Sequence, residues 1–176
     1  MNKLFIKLVL SCMFICMVNV AAYVPAGDYK MQCLYLYKFS QLVEWPENKS
    51  RLEFNIGIVG TSPMIPQLEQ YINTKNRYSA VKYKIERFAS AQAVTNCDLL
   101  YITREQSVSF EMIVKSLNGK PTLLVAELPG LIRRGACINM IAEEGSSIKI
   151  QINKSAIESH RLKVSPDFIK LGNEFF

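Results

Sequence analysis

Few residues of this chain have the chemistry of a catalytic centre. His160 is the only histidine, so a hydrolase triad would have to use that imidazole as its base. The serines are scattered, and none lies in the Gly-x-Ser-x-Gly turn that exposes a nucleophile. A zinc site would have no second imidazole to use. We therefore predict a surface or helix-capping His160, no catalytic residue, no metal and no cofactor.

Two segments carry groups that bind anions. Gly60-Thr61-Ser62-Pro63 follows a predicted strand and opens a predicted helix, where free backbone N–H groups can hold a phosphate or carboxylate. It fits neither GxGxxG nor GxxxxGK[ST], and an ordinary capped turn is the alternative. Arg133-Arg134-Gly135 sets two guanidiniums side by side, with a plain basic loop as the alternative. A single anionic ligand at the strand ends would meet the four predicted binding residues Thr61, Ser62, Arg133 and Arg134.

The cysteines allow two interpretations. Cys12 and Cys16 lie in an apolar N-terminal segment, which leaves Cys33, Cys97 and Cys137 for the folded domain. Three thiols make at most one intramolecular disulfide, and their spacing is too wide for a zinc motif. One bridge and three buried, reduced thiols both stay open, and all three cysteines are candidate redox residues.

An export signal is predicted over residues 1–22. Lys3 and Lys7 give a basic start, Leu8–Val18 is apolar apart from one serine, and Val20-Ala21-Ala22 supplies small residues for cleavage. An uncleaved anchor and a lipid-attachment site at Cys12 are the alternatives. Cleavage would leave residues 23–176 as one domain. The signal holds two lysines and no acids, so 21 basic and 15 acidic residues become 19 and 15, a net charge of +4. Export and the lack of an aromatic-basic platform argue against a nucleic-acid partner.

The positions of these residues depend on an alternation of strands and helices. A stripe at three- and four-residue steps predicts a helix with this face buried: Met31, Leu34, Tyr35, Phe39, Leu42 and Val43. Pro46 forbids continuation beyond Trp45. The following elements are predicted as strands at Phe54–Val59, Val81–Ile85, Leu99–Ile102 and Leu123–Ala126, with helices at Met64–Ile72 and Phe110–Leu117.

The alternation of predicted strands and helices ends after residue 136. Cys137–Ala142 and Ile148–Ile152 flank Glu144-Gly145-Ser146, which predicts a β-hairpin, and Ser165-Pro166 begins a last helix. The whole pattern predicts an α/β fold: a three-layer, mainly parallel sheet with helices on both faces and a C-terminal antiparallel hairpin. A phospho-acceptor receiver domain is excluded, because Gly60 and Thr103 stand where it needs acidic residues.

The end of the first helix is rich in aromatic side chains. Most of them should belong to the core, and any that stay exposed, Trp45 above all, would anchor an interface. We therefore predict Tyr35, Phe39, Glu44 and Trp45 as partner-binding residues.

Six blocks of the chain resemble the YfiR/HmsC-like family, in the family's order and over nearly all of residues 23–176. The blocks are Leu36–Phe39 with Val43–Pro46 (LYNFAKFVEWP in relatives), Ile56–Gly60 (ICVLG), Asn96–Ile102 (ACHILYI), Pro129–Asn139 (GFARRGGMIN), Ile148–Asn153 (VRFEIN) and Leu162–Leu171 (LKISSQLLRLA). The ordered set of blocks, not any single block, carries the resemblance.

The resemblance implies a small periplasmic protein without enzymatic activity. Such a protein restrains an inner-membrane diguanylate cyclase by engaging its periplasmic sensor region, which limits cyclic di-GMP synthesis and biofilm output. A membrane sensor kinase is the other expected partner. The resemblance also implies homodimers and release by redox or other envelope signals.

The chain departs from the family at two positions that concern disulfides. Gly57 stands where relatives often carry cysteine, so the bridge from the first strand to Cys97 is not available here. Cys137 stands at a position that is often glycine or another residue in relatives. Redox control would therefore need a different pairing among Cys33, Cys97 and Cys137.

Three functional hypotheses result. The first is a periplasmic regulator that binds a membrane signalling protein. The second is a periplasmic sensor or carrier of a small anionic ligand. The third is an exported hydrolase, which would depend on His160.

Overall fold

The computed structural model describes residues 29–46, 51–143 and 147–176. The predicted signal at 1–22 and the predicted hairpin turn at 144–146 lie outside these ranges. The strands are β1 (Val43–Glu44), β2 (Glu53–Val59), β3 (Lys82–Phe88), β4 (Leu99–Ile102), β5 (Leu123–Ala126), β6 (Ile138–Ala142), β7 (Ile148–Ile152), β8 (Lys163–Val164) and β9 (Glu174–Phe175). The α-helices are α1 (Lys30–Leu42), α2 (Ile65–Asn76), α3 (Phe110–Leu117), α4 (Lys154–Ser159) and α5 (Pro166–Ile169).

Seven of these strands form one sheet in the order β3-β2-β4-β5-β6-β7-β9. Strands β2 to β6 run parallel, β7 runs antiparallel to β6, and β9 runs parallel to β7. β4 and β5 are apolar and buried at every position, as parallel strands covered on both faces require. The predicted α/β fold with a mainly parallel sheet and an antiparallel hairpin is confirmed.

The direction of the crossovers places helices on both faces. The chain moves one way from β2 through α2 to β3, and the opposite way from β4 through α3 to β5. Because parallel crossovers are right-handed, α2 and α3 lie on opposite faces. Helix α1 shares the face of α2, since Tyr37 contacts Tyr71. Helix α5 packs on the same helix through the ring pair Phe39 and Phe168.

The buried face of α1 differs from the predicted stripe. Cys33, Leu36 and Phe39 are the buried residues of this helix, whereas Met31 is exposed and Tyr35 is half-buried. Apolar residues surround most of α1, so periodicity alone could not select the side that faces the sheet. The helix also ends earlier than predicted, at Leu42, because the next two residues pair with β8 as the antiparallel strand β1.

The region after the hairpin holds a helix that the sequence pattern did not indicate. Helix α4 begins immediately after β7, and its N-cap Asn153 accepts a hydrogen bond from the backbone N–H of Ala156. The predicted last helix, α5, does begin at Pro166 with Ser165 as its cap, but it is only four residues long.

Asp98, just before β4, joins three elements at the edge where the parallel strands begin. Its carbonyl oxygen accepts hydrogen bonds from Trp45 Nε1 at 3.2 Å and from Leu123 N at 2.8 Å. Its carboxylate accepts from Asn55 N at 2.7 Å and pairs with Arg51 Nη1 at 2.7 Å. The end of α1, β2 and β5 are thus tied to one residue, which we call the Asp98 junction.

Aromatic rings also pack around the Asp98 junction. The Trp45 ring meets the Phe54 ring edge to face with centroids 5.0 Å apart. The Arg51 guanidinium lies 5.6 Å from the centroids of both rings. Trp45 is only 4 % exposed, so its side chain fixes the C-terminal end of α1 to the core.

We predict that Trp45→Phe lowers the free energy of unfolding by about 1–3 kcal/mol, because it removes a buried hydrogen bond and part of a packed ring. Tyr78→Phe is the matched control, since Tyr78 is 87 % exposed and its variant should change stability by less than about 0.5 kcal/mol. Urea unfolding followed by circular dichroism measures both. Equal stabilities for the two variants would show that the Asp98 junction does not hold α1.

Candidate functional site

A cleft of about 520 Å³ lies where the parallel strands end, on the α1 face of the sheet. The strand order reverses here between β2 and β4, and open α/β sheets bind ligands at such a switch point. We call it the strand-end cleft. Its lining comes from the start of α1, three strand ends and the turn before α2: Tyr29, Gln32, Thr61, Ser62, Pro63, Tyr101, Arg104, Glu105, Glu127, Met140 and Ala142.

The turn at Thr61 is bonded to a carboxylate of the same chain. Glu105 Oε2 accepts hydrogen bonds from Thr61 Oγ1 at 2.6 Å and from Thr61 N at 3.2 Å. These bonds, the hydroxyl's first, hold the pKa of Glu105 below its ordinary value. Ser62 Oγ accepts from Met64 N at 3.3 Å, as in an ordinary capped turn. The Thr61 groups predicted to bind an anion therefore already donate to Glu105, whereas the Ser62 oxygen is itself an acceptor.

A second carboxylate, that of Glu127, is held inside the cleft. Its two oxygens accept hydrogen bonds from the Tyr101 hydroxyl and, at 2.8 Å, from Arg104 N. Burial and the neighbouring carboxylate raise the pKa of Tyr101 well above its ordinary value, so the phenol stays protonated as a donor. Neither residue was predicted from the sequence, because an acid that follows a buried strand matches no local motif.

The two predicted arginines lie away from the strand-end cleft. The Arg133 guanidinium lies 4.8 Å from the Phe176 ring centroid. Arg134 pairs with Glu111 at 3.0 Å and lies over the Phe110 ring. Both side chains are exposed, but they do not line the cleft with Thr61 and Ser62. The predicted meeting of all four residues around one anion is wrong.

The predicted aromatic contact residues divide between core and surface. Phe39 is fully buried and Trp45 nearly so, which leaves neither side chain free to touch a partner in this arrangement. Tyr35 is half-buried and stacks on Phe39 with ring centroids 6.0 Å apart. Glu44 is exposed next to Trp45. Tyr35 and Glu44 remain as candidate contacts.

The three cysteines of the described residues, Cys33, Cys97 and Cys137, form no disulfide and are buried. Burial raises the pKa of both Cys97 and Cys137 to about 12. A thiol attacks as its thiolate, so both residues should react slowly at neutral pH while the protein is folded. Of the two interpretations of the cysteines, one disulfide or three buried, reduced thiols, the structure thus shows the second.

Gly57 faces Cys97 across adjacent strands. A Cβ atom built on Gly57 would lie 3.0 Å from Cys97 Sγ and 2.8 Å from the Phe88 ring. The separation from sulfur suits a disulfide, in which two bonds of about 1.8 and 2.05 Å span that gap. The geometry at this pair therefore suits a disulfide if residue 57 is replaced by cysteine.

We predict that Gly57→Cys forms a disulfide with Cys97 after a small shift of Phe88. Mass spectrometry of the non-reduced, proteolysed protein should find peptides 57 and 97 linked, whereas the wild type under the same oxidant should keep three free thiols in its described residues. Ile58→Cys is the control, because its side chain points to the opposite face. Failure of Gly57→Cys to link, or equal linking by Ile58→Cys, would contradict the geometry.

His160 is buried, and it caps the C-terminus of α4. The predicted capping position is found, but the predicted surface position is wrong. Nδ1 donates to the carbonyl oxygen of Lys120 at 2.9 Å. Burial, partly offset by this hydrogen bond, lowers the pKa of His160. The contact of the ring with Lys120 is thus structural, and it gives the hydrolase hypothesis no support.

We predict that the free energy of unfolding falls as the pH drops below about 6.5. In that range the unfolded chain binds a proton on His160 that the folded protein, with its lowered pKa, does not yet bind. His160→Gln should show a smaller difference between pH 7.0 and 5.5, although it is less stable at both. Urea unfolding at the two pH values tests this, and an unchanged difference in the variant would refute it.

Two further features of the described residues bear on function. Within residues 29–46, 51–143 and 147–176, no group of three or more His, Cys, Asp and Glu side chains is placed to hold a metal ion. Among the helices in those same ranges, none has the length and apolar character needed to cross a membrane.

Comparison with known proteins gives a family and a fold. A sequence model described as YfiR/HmsC-like matches residues 29–173, whereas no curated protein matches significantly. A conserved domain protein from Vibrio cholerae O1 biovar El Tor is similar in structure, with a TM-score of 0.57, 12 % identity and coverage of 82 % of this chain and 60 % of that one. The ABC domain in complex with L-Trp from Streptococcus pneumonia has a TM-score of 0.51, 12 % identity and coverage of 70 % and 55 %. The chain spans less than two thirds of both solved proteins, and at this identity they show the α/β fold alone.

Proposed function

The chain belongs to the YfiR/HmsC-like family, and from this membership we propose that it is a periplasmic regulatory protein that binds and restrains a membrane signalling protein. The family match over residues 29–173 is the observation that carries the proposal. It also supports a regulatory rather than a catalytic role and a periplasmic location.

In the finer form of the proposal, the partner is an inner-membrane diguanylate cyclase, with a sensor kinase as the other candidate. The protein holds the partner's periplasmic sensor region in an inactive arrangement and so limits cyclic di-GMP and biofilm output. An envelope signal releases it. Release requires that the signal change the relative affinity of the two states for the partner.

We propose that the exposed side of α1 is the docking face. Met31, Leu34, Tyr35 and Lys38 follow one another at the i, i+3, i+4 and i+7 spacing of a single helix side, and all four reach the surface. Met31 is 42 % exposed, and Tyr35 stacks on the buried Phe39, which keeps its ring rigid. Rigid aromatic and apolar anchors with a charged rim are typical of protein interfaces.

Glu44 extends the proposed surface, whereas the arginine loop, which packs on α3, is a separate candidate contact. Glu44 lies exposed just after α1, on the short strand β1. Arg133 is exposed and stacks on Phe176, so its guanidinium is available to an acidic partner. A homodimer through the same α1 face would compete with the partner, and gel filtration at increasing protein concentration would reveal it.

The test is capture of membrane proteins from detergent-solubilised envelopes on the immobilised protein. We predict recovery of a diguanylate cyclase or sensor kinase by the wild type, and at least tenfold less by Met31→Glu, because a charge would be buried in the interface. Met112→Glu is the matched control: Met112 is 47 % exposed but lies on α3, and its capture should equal the wild type.

Two results would count against this proposal. Repeated recovery of no membrane signalling protein by the wild type would remove the regulatory function. Equal loss of capture in Met31→Glu and Met112→Glu would keep the function but remove α1 as the docking face.

A further inference from the structure

Strand β3 is a long, open edge of the seven-stranded sheet. It lies first in the strand order and has seven residues, whereas β9 at the opposite edge has two. Among residues 29–46, 51–143 and 147–176, the only strand that pairs with β3 is β2. The other side of β3 therefore presents backbone N–H and C=O groups that no strand of the described chain covers, and such an edge can pair with a further strand.

Three residues of β3 direct their backbone groups to that open side. Lys82 N donates to Leu52 O at 2.7 Å, so the even-numbered residues of β3 form their hydrogen bonds with the β2 segment. Successive residues of a strand bond to opposite sides. The N–H and C=O groups of Tyr83, Ile85 and Arg87 therefore point away from the sheet.

One of these three positions is already paired, by a side chain that takes the place of a strand residue. Asn76, the last residue of α2, accepts from Tyr83 N at 2.8 Å through Oδ1 and donates to Tyr83 O at 2.9 Å through Nδ2. These are the two hydrogen bonds that a strand residue opposite Tyr83 would make. Within the described part of the chain, the outward groups of Ile85 and Arg87 have no such partner. The edge is thus covered at one position and open at the next two.

The sequence of β3 is complementary to itself in the antiparallel direction. If Ile85 lies opposite Ile85 of a second copy, Lys84 of each copy lies opposite Glu86 of the other. Opposite charges then meet at non-hydrogen-bonded positions, where paired side chains come closest. A shift by two residues, the next one that keeps the outward groups opposed, would instead set Glu86 against Glu86 or Lys84 against Lys84, which is unfavourable. Charge therefore favours one register with a second copy of β3.

The side chains of the two intermolecular ion pairs are accessible. Lys84 and Glu86 are both exposed. Lys84 Nζ lies 2.8 Å from Glu53 of the same chain, but that pair is exposed, and an ammonium group has three donors to share between two carboxylates. Among the residues that the structure describes, Glu86 forms no ion pair.

There is also space for a second copy beside Ile85. A groove of about 260 Å³ lies between α2 and β3, and its lining is Glu69, Ile72, Asn73, Tyr83 and Ile85. Residues directly opposite each other in an antiparallel pair project from the same face of the sheet. Ile85 of the second copy would thus contact Ile85 of the first at the mouth of this groove, close to the buried Ile72.

We propose that β3 pairs antiparallel with β3 of a second copy about a two-fold axis at Ile85, and that Asn76 controls access to this edge. Pairing along the whole strand places Arg87 of the second copy opposite Tyr83, where the Asn76 amide now lies. The Asn76 side chain therefore swings away, and the backbone of that Arg87 replaces its two hydrogen bonds. The contact is isologous, because each copy offers the same surface. It uses no residue of the proposed docking face and does not depend on the membrane partner.

Sedimentation equilibrium of the purified protein tests the proposal. We expect Asn76→Ala to lower the dissociation constant of the dimer at least tenfold relative to the wild type, because pairing no longer has to break the hydrogen bonds to Tyr83. In the Asn76→Ala background, Glu86→Lys should raise that constant about tenfold or more, because two Lys–Lys pairs replace two Lys–Glu pairs. Adding Lys84→Glu should restore association, since each pair is again of opposite charge. Met31→Glu, on α1, is the control and should leave association unchanged.

A cross-linking experiment tests the same axis with Asn76 in place. Residues opposite each other at a hydrogen-bonded position have Cα atoms about 5.5 Å apart, which is within the range of a disulfide. Ile85→Cys should therefore form a dimer linked through residue 85 under a mild oxidant, as seen on non-reducing gels and by mass spectrometry. Lys115→Cys, at an exposed position on α3, is the matched control and should stay monomeric.

Several outcomes would overturn the proposal. Asn76→Ala that stays as monomeric as the wild type would do so, as would failure of the charge exchange to restore association. Loss of association in Met31→Glu would place the dimer contact on α1 instead. Equal cross-linking of Ile85→Cys and Lys115→Cys would show random collision. Thermal melts verify that each variant is folded, and if Asn76→Ala is not, the cross-linking result decides.

Discussion

The hydrogen bonds of Asp98 are the constraint on which the rest of the structure depends. Asp98 precedes a central strand, and its backbone and carboxylate bind groups from the end of α1, from β2 and from β5. Buried polar groups keep a fixed geometry because an unsatisfied one is costly. The C-terminal end of α1 is therefore fixed against the sheet, and the proposed docking face lies on that helix.

Helix α1 connects the proposed docking face with the strand-end cleft. Met31 of the docking face and Gln32 of the cleft are adjacent residues of its first turn. The buried side of the helix, from Cys33 to Phe39, holds it rigidly on the sheet. The strand-end cleft thus lies next to the proposed docking face.

Sequence reasoning succeeded where several residues carry the same information. Uninterrupted apolar runs such as Leu99–Ile102 predicted the buried parallel strands, and the alternation of Ile148–Ile152 predicted the hairpin strand. It failed for the buried side of α1, because apolar residues lie around most of that helix. It missed α4, which is six residues long and mostly polar. The carboxylates of the strand-end cleft come from separate loops, so only the folded chain brings them to the turn at Thr61.

The proposed docking of the protein through α1 on a membrane signalling protein is tested most directly by the cellular level of cyclic di-GMP in a strain that lacks the protein. We predict a raised level that returns to normal with wild-type protein or Met112→Glu, but stays raised with an equal amount of Met31→Glu. Full restoration by Met31→Glu, or no change in cyclic di-GMP when the protein is removed, would contradict it.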